Sequence, residues 1–130
     1  MAADKNIHIL VVDDFENIAR TLRSQLRGLG FTKVDVAVGG LQALDKLKEA
    51  KDYGLILADW AMPDLNGLQL LQKVREDKEM KDVRFLIVTG NTNPADVAAA
   101  KKLGVNGYVI KPYNLATLKQ RLEGLLGPLN

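Results

Sequence analysis

Three short apolar runs, each stopping at a polar residue, constrain this chain more than any other feature. "IHILVV" (7–12) runs into Asp13 and Asp14, "LILA" (55–58) into Asp59, and "RFLIV" (84–88) into Thr89. Runs this short that are rich in β-branched and aliphatic residues read as strands buried on both faces. Two further segments behave in the same way. "VDVAV" (34–38) alternates as a strand does and is broken by Gly39-Gly40, and "GYVI" (107–110) is a short strand that runs into Lys111.

Between these strands the period changes to that of a helix. Ile18, Leu22, Leu26 and Leu29 recur at helical spacing until Gly30. Leu41, Leu44 and Leu47 mark a second helix, and Leu68, Leu71 and Val74 a third. Asn93 suits an N-cap and Pro94 the first position of an Ala-rich fourth helix that ends at Gly104. The last helix puts Leu115, Leu118, Leu122 and Leu125 on one face, and the leucine stripes read as core. Strands alternating with helices mean a parallel sheet covered on both faces, an α/β doubly wound fold with five strands and five helices. Open sheets of this kind bind ligands beyond the carboxyl ends of their strands. Asp13, Asp14, Asp59, Thr89 and Lys111 all fall at those ends.

The 130 residues are 47% hydrophobic and 26% charged, as expected for one soluble domain spanning 1–130. Absence of cysteine excludes disulfides and thiolate metal sites. No apolar run is long enough to cross a membrane and the first residues, "MAADKN", lack a signal core, so the expected location is cytoplasmic. The net charge of +2 comes from scattered Lys and Arg rather than a basic stripe, which argues against a nucleic-acid partner.

Carboxylates crowded into one pocket repel one another by roughly 3 kcal/mol per pair about 5 Å apart, at an effective dielectric of about 20. One lysine cannot offset three such charges. Mg²⁺ can, as a hard cation that takes carboxylates, water and a phosphate oxygen. An electrophilic phosphorus could then approach Asp59, and an aspartate that attacks phosphorus forms an acyl phosphate. A threonine hydroxyl and a lysine ammonium suit the resulting phosphoryl oxygens. Taken singly, each residue has a plainer role. Asp59 could form a turn, Asp13-Asp14 an N-cap pair, Thr89 a strand residue and Lys111 a solvated charge. His8, alone within a strand, reads as structural or exposed and without a partner. Trp60 reads as packing or as a pocket wall. The joint pattern of strand ends is what favours phosphoryl chemistry.

"VVDDF", "ADWAMPDLNG", "VTG" and "GYVIKPY", in this order and at these separations, resemble a response-regulator receiver domain along essentially the whole chain. Phe15 after the acid pair and Trp60 after Asp59 resemble the single-domain chemotaxis branch. The resemblance implies a flavodoxin-like sheet of order 2-1-3-4-5. It implies Asp59 as phospho-acceptor from a histidine kinase. Asp14 and Asp59 would hold Mg²⁺, Asp13 would act largely through water, and the Ala61 backbone carbonyl would complete the set. It implies Thr89 and Lys111 as sensors of the phosphoryl group, Tyr108 as a rotating switch, a cis Lys111-Pro112 peptide, and Gly67 at a tight backbone path. Output would leave by a face carrying Tyr108, Ile110 and Tyr113 with Lys101, Lys102, Lys119 and Arg121. Its target would be the flagellar motor switch or another protein, and a phosphatase is a further candidate partner. The chain would act as a monomer, away from membranes, and not as an enzyme beyond its own phosphoryl transfer and slow self-dephosphorylation.

Departures from the chemotaxis pattern are Ala61 where Asn is usual, Asn91 where Glu is usual, and Gly90 where Ala is common. Other expectations compete. A phosphate sink or a phosphorylation-independent interaction module fits the same fold. A haloacid-dehalogenase-type hydrolase would need D-x-D-x-T at the first strand, where this chain has "DDFEN". A flavin carrier would need a Ser/Thr/Gly-rich phosphate loop there, and the acids would repel that phosphate.

Overall fold

The computed structural model describes residues 2–129. Strands β1 (His8–Val12), β2 (Lys33–Ala37), β3 (Tyr53–Ala58), β4 (Arg84–Thr89) and β5 (Gly107–Ile110) alternate with helices α1 (Glu16–Gly28), α2 (Gly40–Glu49), α3 (Gly67–Glu76), α4 (Pro94–Lys102) and α5 (Leu115–Leu126). All neighbouring strands are parallel, in the order β2-β1-β3-β4-β5. The expected fold is the observed one.

The two-residue period of the strands sorts the core into two layers. Leu10, Val12, Ile56, Ala58, Phe85 and Ile87 face α2, α3 and α4. Ile9, Val11, Leu55, Leu57, Leu86, Val88 and Val109 face α1 and α5. Each fully buried aliphatic or aromatic side chain contributes about 1.5–3 kcal/mol, so the central strands are held from both sides and their ends are fixed in space. Helix α4 is the exception. Among its residues only Ala100 is buried, whereas α3 buries Leu70, Leu71 and Val74.

Local signals explain the helix starts. Asn66 caps α3 and forms a reciprocal capping box with Gln69. Asn93 accepts from the N–H groups of Ala95 and Asp96 and Pro94 follows it, as the sequence predicts. Helix α2 has no cap of its own at Gly39. Asp64, from the loop after β3, supplies one across space by accepting from the N–H groups of Gly40 and Leu41, both at 3.2 Å.

Two sequence expectations are corrected. The leucine stripes are not wholly core. Leu41 and Leu115 are 55% and 48% exposed, because α2 turns Ala43 and Leu47 inward and α5 turns Leu118 and Leu122 inward. Nor is His8 without partners. Its Nε2 lies 2.7 Å from Asp35 Oδ2 on β2, its Nδ1 lies 2.9 Å from Asp52 Oδ1 before β3, and its ring stacks on Tyr53 at 3.8 Å. Tyr53 donates its hydroxyl to the same Asp35 oxygen at 2.7 Å.

Both neighbours of the His8 ring are carboxylates, which when ionised only accept, so the pairing favours the imidazolium, in which both ring nitrogens donate. Burial alone would lower its pKa, but the hydrogen bonds and charges of Asp52 and Asp35 raise it above the ordinary histidine value. Asp35 is lowered: burial pushes it up, and Tyr53 and His8 more than reverse that. A raised histidine contributes stability that is complete below its unfolded pKa and is lost as pH rises through its folded pKa. A lowered carboxylate contributes above its unfolded pKa and is lost as pH falls. The stability difference between wild type and His8→Phe should therefore be largest between roughly pH 4.5 and 6.5 and shrink above neutrality. The His8–Asp35 bond should account for on the order of 1 kcal/mol of it. Urea denaturation across pH checks this, and a flat difference up to about pH 9 contradicts it.

Candidate functional site

The buried strands deliver five polar residues to one edge of the sheet. Asp13 and Asp14 follow β1, Asp59 follows β3, Thr89 ends β4 and Lys111 follows β5. Backbone hydrogen bonds continue the sheet into these residues. The Asp13 N–H donates to Ala37 O, the Asp59 N–H to Val12 O, and the Lys111 N–H to Thr89 O. The site is therefore an extension of the sheet and inherits its rigidity.

One oxygen from each of Asp13, Asp14 and Asp59 lies within 4.8 Å of the others. Lys111 Nζ reaches between two of them, 3.2 Å from Asp13 Oδ2 and 3.3 Å from Asp59 Oδ2. Asp13 is only 4% exposed and Thr89 2%. Burial raises the Asp13 pKa, the Asp59 charge adds to that, and the Phe15 N–H and Lys111 reduce it only in part. Burial would lower Lys111, but Asp59 and Asp13 more than compensate and raise it, so the ammonium is firmly held. Asp14 Oδ1 is buried and finds no hydrogen-bond partner among the described residues. An unpartnered buried carboxylate oxygen is costly. Here it points to a cation-binding donor set: hard oxygens, close together, one of them unsatisfied.

The surrounding loops hold this arrangement. The Phe15 N–H donates to Asp13 Oδ1 at 3.0 Å, so Asp13 shapes the turn before α1, but neither acid is the N-cap: Phe15 stands there and no side chain caps the helix. The Ala61 N–H lies 3.4 Å from Asp59 Oδ1. A Cβ on Gly67 would come within 2.5 Å of the Asp59 carbonyl oxygen, so only glycine allows the loop to fold back there. Trp60 packs half-buried on the α2–α3–α4 side. The Lys111-Pro112 peptide is cis.

The remaining candidates separate. Tyr108 packs with the layer under α4, and its hydroxyl donates to the Asn91 carbonyl at 2.8 Å. Burial raises its pKa, and the charges of Asp96 and Asp59 add to this. Ile110 is 40% exposed. Tyr113 lies on the opposite layer, with its hydroxyl on Gln25 Oε1 of α1 at 2.8 Å. The structure therefore brings Tyr108 and Ile110 to one side and Tyr113 to the other. Sequence reasoning missed Asp64 and Asp96, which act through partners distant in the chain or on another element. The only signal was their position beside helix starts.

Residues 9–123 match the response regulator receiver domain family. The chain is 40% identical over 120 residues to chemotaxis protein CheY-3 of Vibrio cholerae, covering 92% of each. It is 40% identical over 119 residues to a chemotaxis protein CheY homolog of Campylobacter jejuni, again 92% of each. Among solved structures, Vibrio cholerae CheY4 superposes with a TM-score of 0.86 at 30% identity, covering 93% of this chain and 99% of that one. The receiver domain of a sensor histidine kinase from Pseudomonas aeruginosa, solved with a magnesium ion coordinated in its active-site cleft, superposes with a TM-score of 0.80 at 27% identity. That match covers 92% of this chain and 96% of the other.

The site's charge crowding makes a direct prediction. In EDTA at low salt, Asp14→Asn should be more stable than wild type by on the order of 1 kcal/mol, because one of three mutually repelling charges is gone. Urea denaturation reads this out. A variant less stable than wild type would mean that repulsion does not govern the site.

Proposed function

The chain belongs to the response regulator receiver domain family, as a chemotaxis-type regulator homologous to CheY proteins, and we propose that it works as a phosphorylation-driven binding switch. The observation that carries this reading is the placing of Lys111 Nζ between Asp13 and Asp59 beside an unpartnered Asp14 oxygen. Formally, three carboxylates and one ammonium leave a charge of −2 in the crevice. Mg²⁺ held by Asp13, Asp14, Asp59 and the Ala61 carbonyl would neutralise that excess and polarise the incoming phosphoryl oxygens.

The protein's own residues then do the following. A carboxylate oxygen of Asp59 attacks the phosphorus of a kinase phosphohistidine. The O–P bond forms as the P–N bond breaks, and the donor imidazole departs. Lys111 gives up its contact with Asp59 and pairs with a phosphoryl oxygen. Thr89 accepts the Asn91 N–H at 3.4 Å, which leaves its own hydroxyl proton to donate to the phosphoryl group. No second substrate is turned over. The group rests on Asp59 until water removes it, so the protein is a switch rather than an enzyme.

The signal leaves by binding. Tyr108 and the exposed Ile110 lie on β5, and the helices on either side of it in sequence, α4 and α5, carry the exposed cations Lys101, Lys102, Lys119 and Arg121, a set suited to a partner with acidic flanks. The reading names a histidine kinase as donor and the flagellar motor switch as target, in line with the chemotaxis relatives. No helix among the described residues is long and apolar enough to cross a membrane, in keeping with a cytoplasmic encounter between these partners.

Incubation with acetyl phosphate and Mg²⁺ should retard the wild-type chain on a phosphate-affinity gel. Asp59→Asn and EDTA should each abolish the retardation. Lys111→Ala should retain part of it, since the nucleophile is intact. An unretarded wild type, or a retarded Asp59→Asn, overturns the assignment and favours an interaction module that works without phosphorylation.

A further inference from the structure

Asn91 uses every polar group it has. Its N–H donates to Thr89 Oγ1 at 3.4 Å, and its Oδ1 accepts from the Asn93 N–H at 3.0 Å. Its Nδ2 donates to Asp96 Oδ2 at 2.9 Å, and its carbonyl accepts from the Tyr108 hydroxyl at 2.8 Å. One residue thus joins the end of β4, the N-cap of α4, the first turn of α4 and the aromatic on β5. The rest of the loop is lightly held. Gly90 is exposed, with nothing within 4 Å of where a Cβ would stand. The far end of α4 is fixed separately, by Arg75 of α3 donating from Nη2 to the Gly104 carbonyl at 2.8 Å and from Nη1 to the Val83 carbonyl at 2.7 Å.

We propose that the Asn91–Asp96 hydrogen bond sets the position of the Tyr108 ring, which makes Asn91 and Asp96 positioning residues for the switch. Its signalling consequence rests on the function proposed above. The chemistry of the pair is directional. Asn91 must accept through one side-chain atom and donate through the other, because Asn93 presents an N–H and Asp96 a carboxylate. A carboxylate side chain at position 91 would satisfy Asn93 and repel Asp96. Asp96 in turn sits in the first turn of α4, where the helix dipole favours its charge and its own N–H is bound to Asn93 Oδ1. The pair therefore fixes the Asn91 carbonyl relative to α4, and that carbonyl is the partner of Tyr108. Displacement of Thr89 toward a phosphoryl group would pull the Asn91 N–H. The side-chain bond would carry that pull to α4, and the carbonyl would carry it to Tyr108.

Fluorine NMR of the full chain labelled with fluorotyrosine tests the tie without any phosphoryl mimic, so the outcome is separate from whether Asp59 accepts phosphate. The Tyr108 resonance is assigned with Tyr108→Phe, and Tyr53 and Tyr113 report that the fold is intact. Asp96→Ala should move the Tyr108 resonance more than half of the way to its position in the denatured chain and leave the other two in place. Asp96→Asn, which keeps an acceptor without the charge, should hold it at the wild-type position. Asn91→Asp should release it as Asp96→Ala does. Combining Asn91→Asp with Asp96→Asn, which reverses donor and acceptor, should restore it. The proposal is overturned if Asp96→Ala leaves Tyr108 unmoved, if Asp96→Asn releases it as fully as alanine, or if the exchanged pair fails to restore it.

Discussion

Three carboxylates held within 4.8 Å of one another at the edge of a rigid sheet, with one ammonium between two of them, set the terms for everything else in this protein. Left in water, such groups would separate. Here they cannot, because Asp13 and Asp59 each directly follow a strand buried on both faces, Asp14 comes one residue later, and backbone hydrogen bonds carry the sheet into Asp13 and Asp59 themselves. The hydrophobic layers thus hold an arrangement that electrostatics opposes. A site prepared in this way attracts a cation, and in the function proposed above a bound cation would in turn draw in a phosphoryl group.

The loops divide into rigid and compliant sets. The loop after β3 is fixed by the close approach of Gly67 to the Asp59 backbone, by the Asn66–Gln69 capping box, and by Asp64 capping α2. That rigidity keeps Asp59 and Ala61 in place. The loop after β4 relies instead on Asn91 and leads into α4, the helix with the least buried face. The proposed switch needs one part that does not move and one that can. The difference in packing between α3 and α4 supplies both.

Much of this was legible in the sequence because it is local. Strand runs that stop at Asp13, Asp59 and Thr89, the Asn93-Pro94 helix start, and the order of acids, threonine and lysine can be read residue by residue. What was not legible depends on contacts between distant elements. His8 looked isolated because its partners, Asp35 and Asp52, follow 27 and 44 residues later. Periodicity found the leucines of α2 and α5 without telling that Leu41 and Leu115 face outward, since a three-to-four residue repeat leaves the angle of the apolar stripe loosely set. Tyr113 looked like a neighbour of Tyr108, but the chain leaves the sheet after Ile110, and Tyr113 turns to Gln25 on the other face. Asn91 appeared only as a departure from a familiar pattern. Its partner is Asp96, five residues further on in the first turn of α4.

The central claim is that the metal and the phosphoryl group each supply what the other needs in one over-charged crevice. Their binding must then be reciprocal, with a coupling of about 1–3 kcal/mol, or roughly 5- to 150-fold in affinity. Trp60 stands next to Asp59 and serves as the reporter. Its fluorescence is to be titrated with MgCl₂ in the presence and absence of beryllofluoride, a phosphoryl mimic. The account predicts a Mg²⁺ midpoint at least about fivefold lower with beryllofluoride present. Identical midpoints, or no response of the indole to either titration, would contradict it.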